Sequence, residues 1–143
     1  MADYSKSKGR NGKSTLKHKL NGSSFTPLRH DLINSEEFAQ LTLAAKAIFF
    51  CFLGKYKGNN NGDLELPQTT GQAKQIGMSD KTLKNGLKEL VEAEFLEITR
   101  QGGRNQCSLY ALTCFPINET SKQGLELKAK PTSDKWRKPK PPD

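Results

Sequence analysis

GMSDKTLKNGLKELVEAEFLEITRQGGR, residues 77–104, is the stretch that decides the fold. It reads as a capped amphipathic helix, a sharp exit, a short strand and a glycine-tipped turn. Ser79 is a natural N-cap, and Asp80 just inside it suits the positive end of the helix dipole. Thr82 stands where a Glu or Gln would complete a capping box, so that motif is only half present. Leu83, Leu87, Leu90 and Val91 recur at helical spacing and form one apolar stripe. Lys81, Lys84, Asn85 and Lys88 recur with the same period on roughly the opposite side. Lys84 and Lys88 are four apart, a like-charge spacing that costs an isolated helix about 0.2–0.5 kcal/mol. A face that tolerates this repulsion suits an anionic partner; an ordinary solvated lysine face is the plainer alternative.

Upstream, residues 68–76 (QTTGQAKQI) form a short helix candidate, stopped by Gly77 and followed by a turn to Ser79. Helix, glycine-containing turn and capped second helix make a helix-turn-helix, whose second member enters the DNA major groove. Gly86 lies mid-helix at a cost of about 1 kcal/mol relative to Ala, which predicts close approach of the preceding helix. Downstream, residues 95–100 (FLEITR) favour a strand, residues 101–104 turn the chain, and residues 107–112 (CSLYAL) return as its partner. A helix-turn-helix followed by a hairpin is a winged helix.

Three segments carry a resemblance: GDLELP at 62–67, the helix at 79–92, and TRQGGRNQCSLYALT at 99–113. Together they resemble small bacterial winged helix-turn-helix DNA-binding proteins of phages, plasmids and integrated elements. The resemblance covers roughly residues 25–117 and leaves out both tails. It implies double-stranded DNA as the partner and a role in replication, maintenance or transcriptional regulation. Such domains serve all three roles, so the fold does not choose among them.

The chain has 143 residues and a formal charge of +8, which suits one domain with tails. Residues 1–24 carry six Lys/Arg against one Asp, residues 25–117 carry ten of each sign, and residues 118–143 carry seven against four. The excess is therefore in the tails, while all seven Phe residues lie in the neutral middle. Basic arms on a neutral core fit a nucleic-acid binder whose arms add non-specific phosphate attraction. Cys51, Cys107 and Cys114 show no CxxC spacing and read as small buried hydrophobes of a reducing cytoplasm. His18 and His30 fit no zinc pattern, so no metal and no cofactor is expected. The polar start MADYSKSKGRNGK has no signal-peptide core, and the apolar run 41–53 is too short to span a bilayer.

Taken in order, residues 1–24 read as a disordered basic arm. Within it, Gly12-Lys13-Ser14-Thr15 resembles the end of a P-loop, but no strand precedes it and no clear helix follows. Residues 25–33 (FTPLRHDLI) read as an extended lead-in restrained by Pro27. Asn34 or Ser35 caps a short helix to Gln40, and Thr42 starts a longer one. From Ala47 to Leu53 that helix is apolar on every side, the mark of a central buried helix with Phe49, Phe50 and Phe52 as core. Residues 58–62 (GNNNG) turn the chain, and residues 63–66 form a short strand stopped by Pro67. Residues 118–143, rich in Pro and Lys, read as a disordered basic tail, with Trp136 as its one aromatic.

The expectation is thus an α+β winged helix-turn-helix with an extra N-terminal helix, a small three-stranded antiparallel sheet and disordered basic tails. Lys81, Thr82, Lys84 and Asn85 would stand near base edges, Ser79 and Lys88 near phosphates. Arg100, Gln101 and Arg104 on the wing would meet the backbone or minor groove. A homodimer suits such readers, though no leucine heptads declare one. Glu36, Glu37, Glu89, Glu92 and Glu94 read as helix-surface charges, and no nucleophile–base pair is visible, so no enzymatic activity is expected. Competing readings are a protein–protein interaction module and single-stranded nucleic-acid binding through the tails.

Overall fold

The computed structural model describes residues 16–122 and 124–139. Most of the basic arm, with the P-loop-like tetrapeptide, lies outside the described residues. In chain order the elements are α1 (Leu16–Lys19), α2 (His30–Ile33), α3 (Glu36–Ala39), α4 (Leu43–Lys55), α5 (Thr70–Ile76) and α6 (Asp80–Glu92). Four strands follow: β1 (Leu96–Arg100), β2 (Leu109–Leu112), β3 (Thr120–Lys122) and β4 (Leu125–Leu127). The class is α+β, with β1 paired to β2 and β3 paired to β4 in two small antiparallel sheets.

The expected three-stranded sheet is corrected. Residues 63–66 contribute one isolated bridge, in which Leu64 N–H donates to Tyr110 O at 3.2 Å and Tyr110 N–H donates to Leu64 O at 2.8 Å. Gly62, at a φ of 110°, and Pro67, without an N–H, leave too little chain between them for a longer ladder. The turn before the bridge is held from inside. Asn61 is fully buried; its amide accepts from Leu112 N–H at 2.7 Å and donates to the carbonyls of Leu112, Phe115 and Pro116 at 2.9, 3.2 and 2.9 Å.

Helix α4 is central, with Ala45, Ile48, Phe49, Phe52 and Leu53 turned into the core. Phe49 meets Phe38 and Phe95 edge-on at centroid distances of 5.9 and 5.7 Å. Each such ring contributes roughly 1.5–3 kcal/mol by burial. Phe50 is the exception to the expected aromatic core: it is 46% exposed and touches Phe38 and Phe49 only by its edge. The expected reason for Gly86 also needs correction. A Cβ there would stand 2.5 Å from Ile48 Cδ1 and 3.5 Å from Ala45 N, so the helix that needs the room is α4, not α5.

Two terminal segments differ from the sequence-based expectation. The lead-in is extended over residues 25–29 and then makes the helical turn α2. The C-terminal segment, expected to be disordered, folds back over the domain. Ile117 pairs with Lys130 beyond the β3–β4 hairpin, and Leu125 is buried. Trp136 is 1% exposed and stacks on Phe95 at 5.8 Å with an interplanar angle of 19°. One large aromatic with a prepared seat offsets the ordering cost that the surrounding composition could not.

Candidate nucleic-acid interface

The local sequence fixes α5 and α6 at their ends. Thr69 Oγ accepts from Gln72 N–H at 3.1 Å and opens α5. Gly77 closes it in the left-handed region, at φ 93° and ψ 35°. The N–H groups of Gly77 and Met78 both donate to Ala73 O at 2.9 Å, so the last carbonyls are capped. Ser79 then starts α6, its Oγ accepting from Thr82 N–H at 3.2 Å while its hydroxyl donates to Thr82 Oγ1 at 2.9 Å. The Thr70 hydroxyl donates to Asp80 Oδ2 at 2.7 Å and ties the two helix starts together.

The far half of α6 is anchored to α4. Glu89 accepts from Thr42 N–H at 2.8 Å and from the Thr42 hydroxyl at 2.7 Å. A carboxylate at that N-terminus is favoured by the helix dipole. Glu89 is therefore a helix-to-helix tie rather than a plain surface charge. The signal was present in Thr42 as an N-cap, but the partner lies 47 residues away and no local pattern names it.

With both ends held, the two stripes of α6 separate. Leu83, Gly86, Leu87 and Leu90 are buried and Val91 is half-buried, whereas Lys81, Lys84, Asn85 and Lys88 are exposed. Lys88 has a loose neighbour in Glu92 at 3.8 Å, with side chains 75% and 68% exposed. Such pairs contribute little and open readily. Lys81 and Lys84 have no acidic partner among the described residues. Ser79 and Thr82 hold the cap, so their first task is structural.

The β1–β2 hairpin separates its three expected contact residues. Gly103 and Gln106 exchange backbone hydrogen bonds of 3.0 and 3.2 Å, and Asn105 takes a φ of 59°. Gly102 has no room for a side chain, since a Cβ would stand 2.5 Å from Ser108 N. Gln101 and Arg104 are exposed near this tip. Arg100 is half-buried instead: the register shifts between Ile98 and Arg100, and its Nη2 donates to Cys107 O at 3.0 Å. It braces the hairpin from within.

Four cations of the C-terminal segment pair with carboxylates inside the molecule, whereas Lys128 and Lys130 are exposed without an acidic partner among the described residues. Lys135 pairs with Glu97 at 2.8 Å, Lys138 with Glu94 at 3.1 Å, Lys122 with Asp63 at 2.7 Å, and Arg137 with Asp31. The hydrogen bond to Glu97 raises the Lys135 ammonium above its ordinary value. Arg29, in the N-terminal lead-in, forks to Asp134 at 2.6 Å and to Asp31 at 2.6 Å. These two carboxylates raise its affinity for its proton. The guanidinium groups of Arg137 and Arg29 lie 5.1 and 6.0 Å from the Trp136 ring centroid, and the indole N–H donates to Asp134 at 3.1 Å. That ring is closed to a nucleobase.

The cysteines are all free; Cys114 is buried, which pushes its thiol up to about 12, while Cys51 and Cys107 are half-buried. Among the described residues no cluster of His, Cys, Asp and Glu could hold a metal ion, and no helix is long and apolar enough to cross a membrane. No protein-family model, curated protein or solved structure matches the chain.

Proposed function

We propose that the protein is a winged helix-turn-helix that reads double-stranded DNA, with α5 and α6 as the two helices and the β1–β2 hairpin as the wing. The observation that carries this reading is the open lysine-and-asparagine face of α6, backed by leucines and fixed at both ends. In a major groove, Asn85 would pair with adenine through its amide and Lys81 or Lys84 with guanine acceptors. Lys88 would neutralise phosphate after releasing Glu92. Gln101 and Arg104 at the hairpin tip would reach the backbone or minor groove; Arg100, held by Cys107 O, supports them.

Single-stranded binding through the C-terminal cations is the weaker reading, because Lys135, Arg137 and Lys138 beside Trp136 already have carboxylate partners and leave only Lys128 and Lys130 open among the described residues of that segment. A regulator or a replication or maintenance factor of a mobile element fits the proposed chemistry. Repression by occluding a promoter needs nothing beyond the domain. Selection of binding sites from random duplexes tests the reading. The expected result is a defined motif whose discrimination collapses in the Lys84→Ala, Asn85→Ala double variant. No enriched motif, or equal discrimination by the double variant and the wild type, would overturn it.

A further inference from the structure

The β1–β2 hairpin is covered on both faces. All four residues of β2 are buried, and alternation along a strand sends them to opposite sides. Tyr110 and Leu112 join the main core. Leu109 and Ala111 turn the other way and are still 1% and 0% exposed. Their partners across the hairpin, Arg100 and Glu97, lie under the C-terminal segment. Glu97 holds Lys135 at 2.8 Å, and Arg100 packs against Gly124. A two-stranded hairpin is marginal by itself; here the C-terminal segment supplies its second covered face.

The β3–β4 hairpin does so from a fixed root. Asn118, just before β3, donates its N–H to Asn61 O at 3.1 Å, and its side-chain oxygen accepts from Asn61 N–H at 2.9 Å. Asn61 is the buried residue already tied to Leu112 at the end of β2. Leu127 packs on the bare backbone of Gly62, where a Cβ would stand 2.5 Å from Leu127 Cδ1 and 3.8 Å from Thr99 Cγ2. The Thr99 hydroxyl closes the contact from β1 by donating to Gly62 O at 2.6 Å.

The turn of the second hairpin reaches the far end of the first. Gly124 takes a φ of 82°, and the place of its missing Cβ is 3.4 Å from Arg100 Nη1 and 3.5 Å from Gln106 Nε2. Arg100 is on the outgoing strand and Gln106 on the return, so one turn presses on both sides. Arg100 Nε is buried without a hydrogen-bond partner, a costly position that packing over the side chain imposes. The exposed tip residues are close by: Gln101 adjoins the first contact, and Arg104 lies near the second. We propose that the β3–β4 hairpin is a positioning element: seated on the β1–β2 hairpin, it fixes where Gln101 and Arg104 meet a duplex. This rests on the reading of β1–β2 as a wing. Leu127 and Gly124 are its positioning residues, and they act through the first hairpin without touching DNA.

Two variants of the full chain test it, Leu127→Ala and Gly124→Val. Without DNA, amide order parameters over residues 101–106 should be near about 0.85 in the wild type and below about 0.6 in both variants. A tip equally rigid in all three would overturn the proposal. Against a selected duplex, each variant should bind about threefold or more weakly, read by fluorescence anisotropy. In a Gln101→Ala, Arg104→Ala background the same changes should add nothing, since the contact they position is gone. A general loss of stability would lower affinity in both backgrounds, and that additive result would overturn the proposal. Leu127→Met, which keeps the volume, should bind as the wild type does. A wild type that selects no duplex would overturn the DNA reading, and the order parameters then decide by themselves whether the second hairpin holds the first.

Discussion

Lys81 and Lys84 on α6 and Lys135 and Lys138 near the C-terminus carry the same charge on similarly exposed side chains, yet they are in opposite situations. The first two face solvent without an acidic partner among the described residues; the second two close onto Glu97 and Glu94. Exposed ion pairs contribute only about 0–1 kcal/mol each, so they are not what holds the C-terminal segment down. Trp136 on Phe95 does that, and the lysines settle where the carboxylates already are. A formal charge of +8 therefore does not say which cations a polyanion can reach. What matters is which cations the fold leaves open.

The sharpest way to break the comparison is to remove the anchor. Trp136→Ala should destabilise the protein by about 3–5 kcal/mol, as for other buried aromatic truncations, measured by denaturant unfolding followed by circular dichroism. Trp136 is also the sole tryptophan, so native emission should be that of a buried indole and shift red on unfolding. Emission of a solvated indole in the native protein would return the segment to a free tail. Gly86→Val probes the other side. It should cost about 1–3 kcal/mol by overpacking against Ile48, although helix propensity alone favours it.

A smaller effect separates the two lysine pairs directly. Against a selected duplex, Lys81→Ala with Lys84→Ala should weaken binding about tenfold or more, while Lys135→Ala with Lys138→Ala stays within about twofold. Fluorescence anisotropy at fixed salt reads both. Equal losses would mean that the C-terminal pairs open on DNA.

The smallest effect is on acid stability. The hydrogen bond from Arg29 holds the Asp31 carboxyl below its ordinary value. A depressed carboxyl adds stability above its unfolded pKa and loses that contribution as pH falls through the folded one. The protein should therefore lose stability below about pH 4. Asp31→Asn should flatten that acid limb slightly, since the group is well exposed and screened.

The parts that were legible in the sequence are local ones. Ser79, Gly77 and the leucine period sit within one or two turns of what they control, and each behaves in the structure as its chemistry requires. Thr42 and Ser35 as caps belong to the same class. The parts that were not legible depend on distant neighbours. Trp136 lies among Pro and Lys, and its seat is Phe95, 41 positions earlier in the chain. The Leu125-Glu126-Leu127 alternation was a faint strand signal that the overall composition of the tail obscured. Arg100 was misjudged for another reason: a one-residue shift in register turned it toward Cys107 O, and nothing in TRQGGR announces a bulge. Which side chains face solvent was thus legible on the helix and less so on the hairpin.

The most direct test of the central claim is an amide NMR titration of the full chain with a duplex recovered by site selection. The account predicts shift changes concentrated in residues 79–88 and 101–106, with residues 124–138 nearly unmoved. Changes centred on the C-terminal segment, with α6 silent, would contradict it.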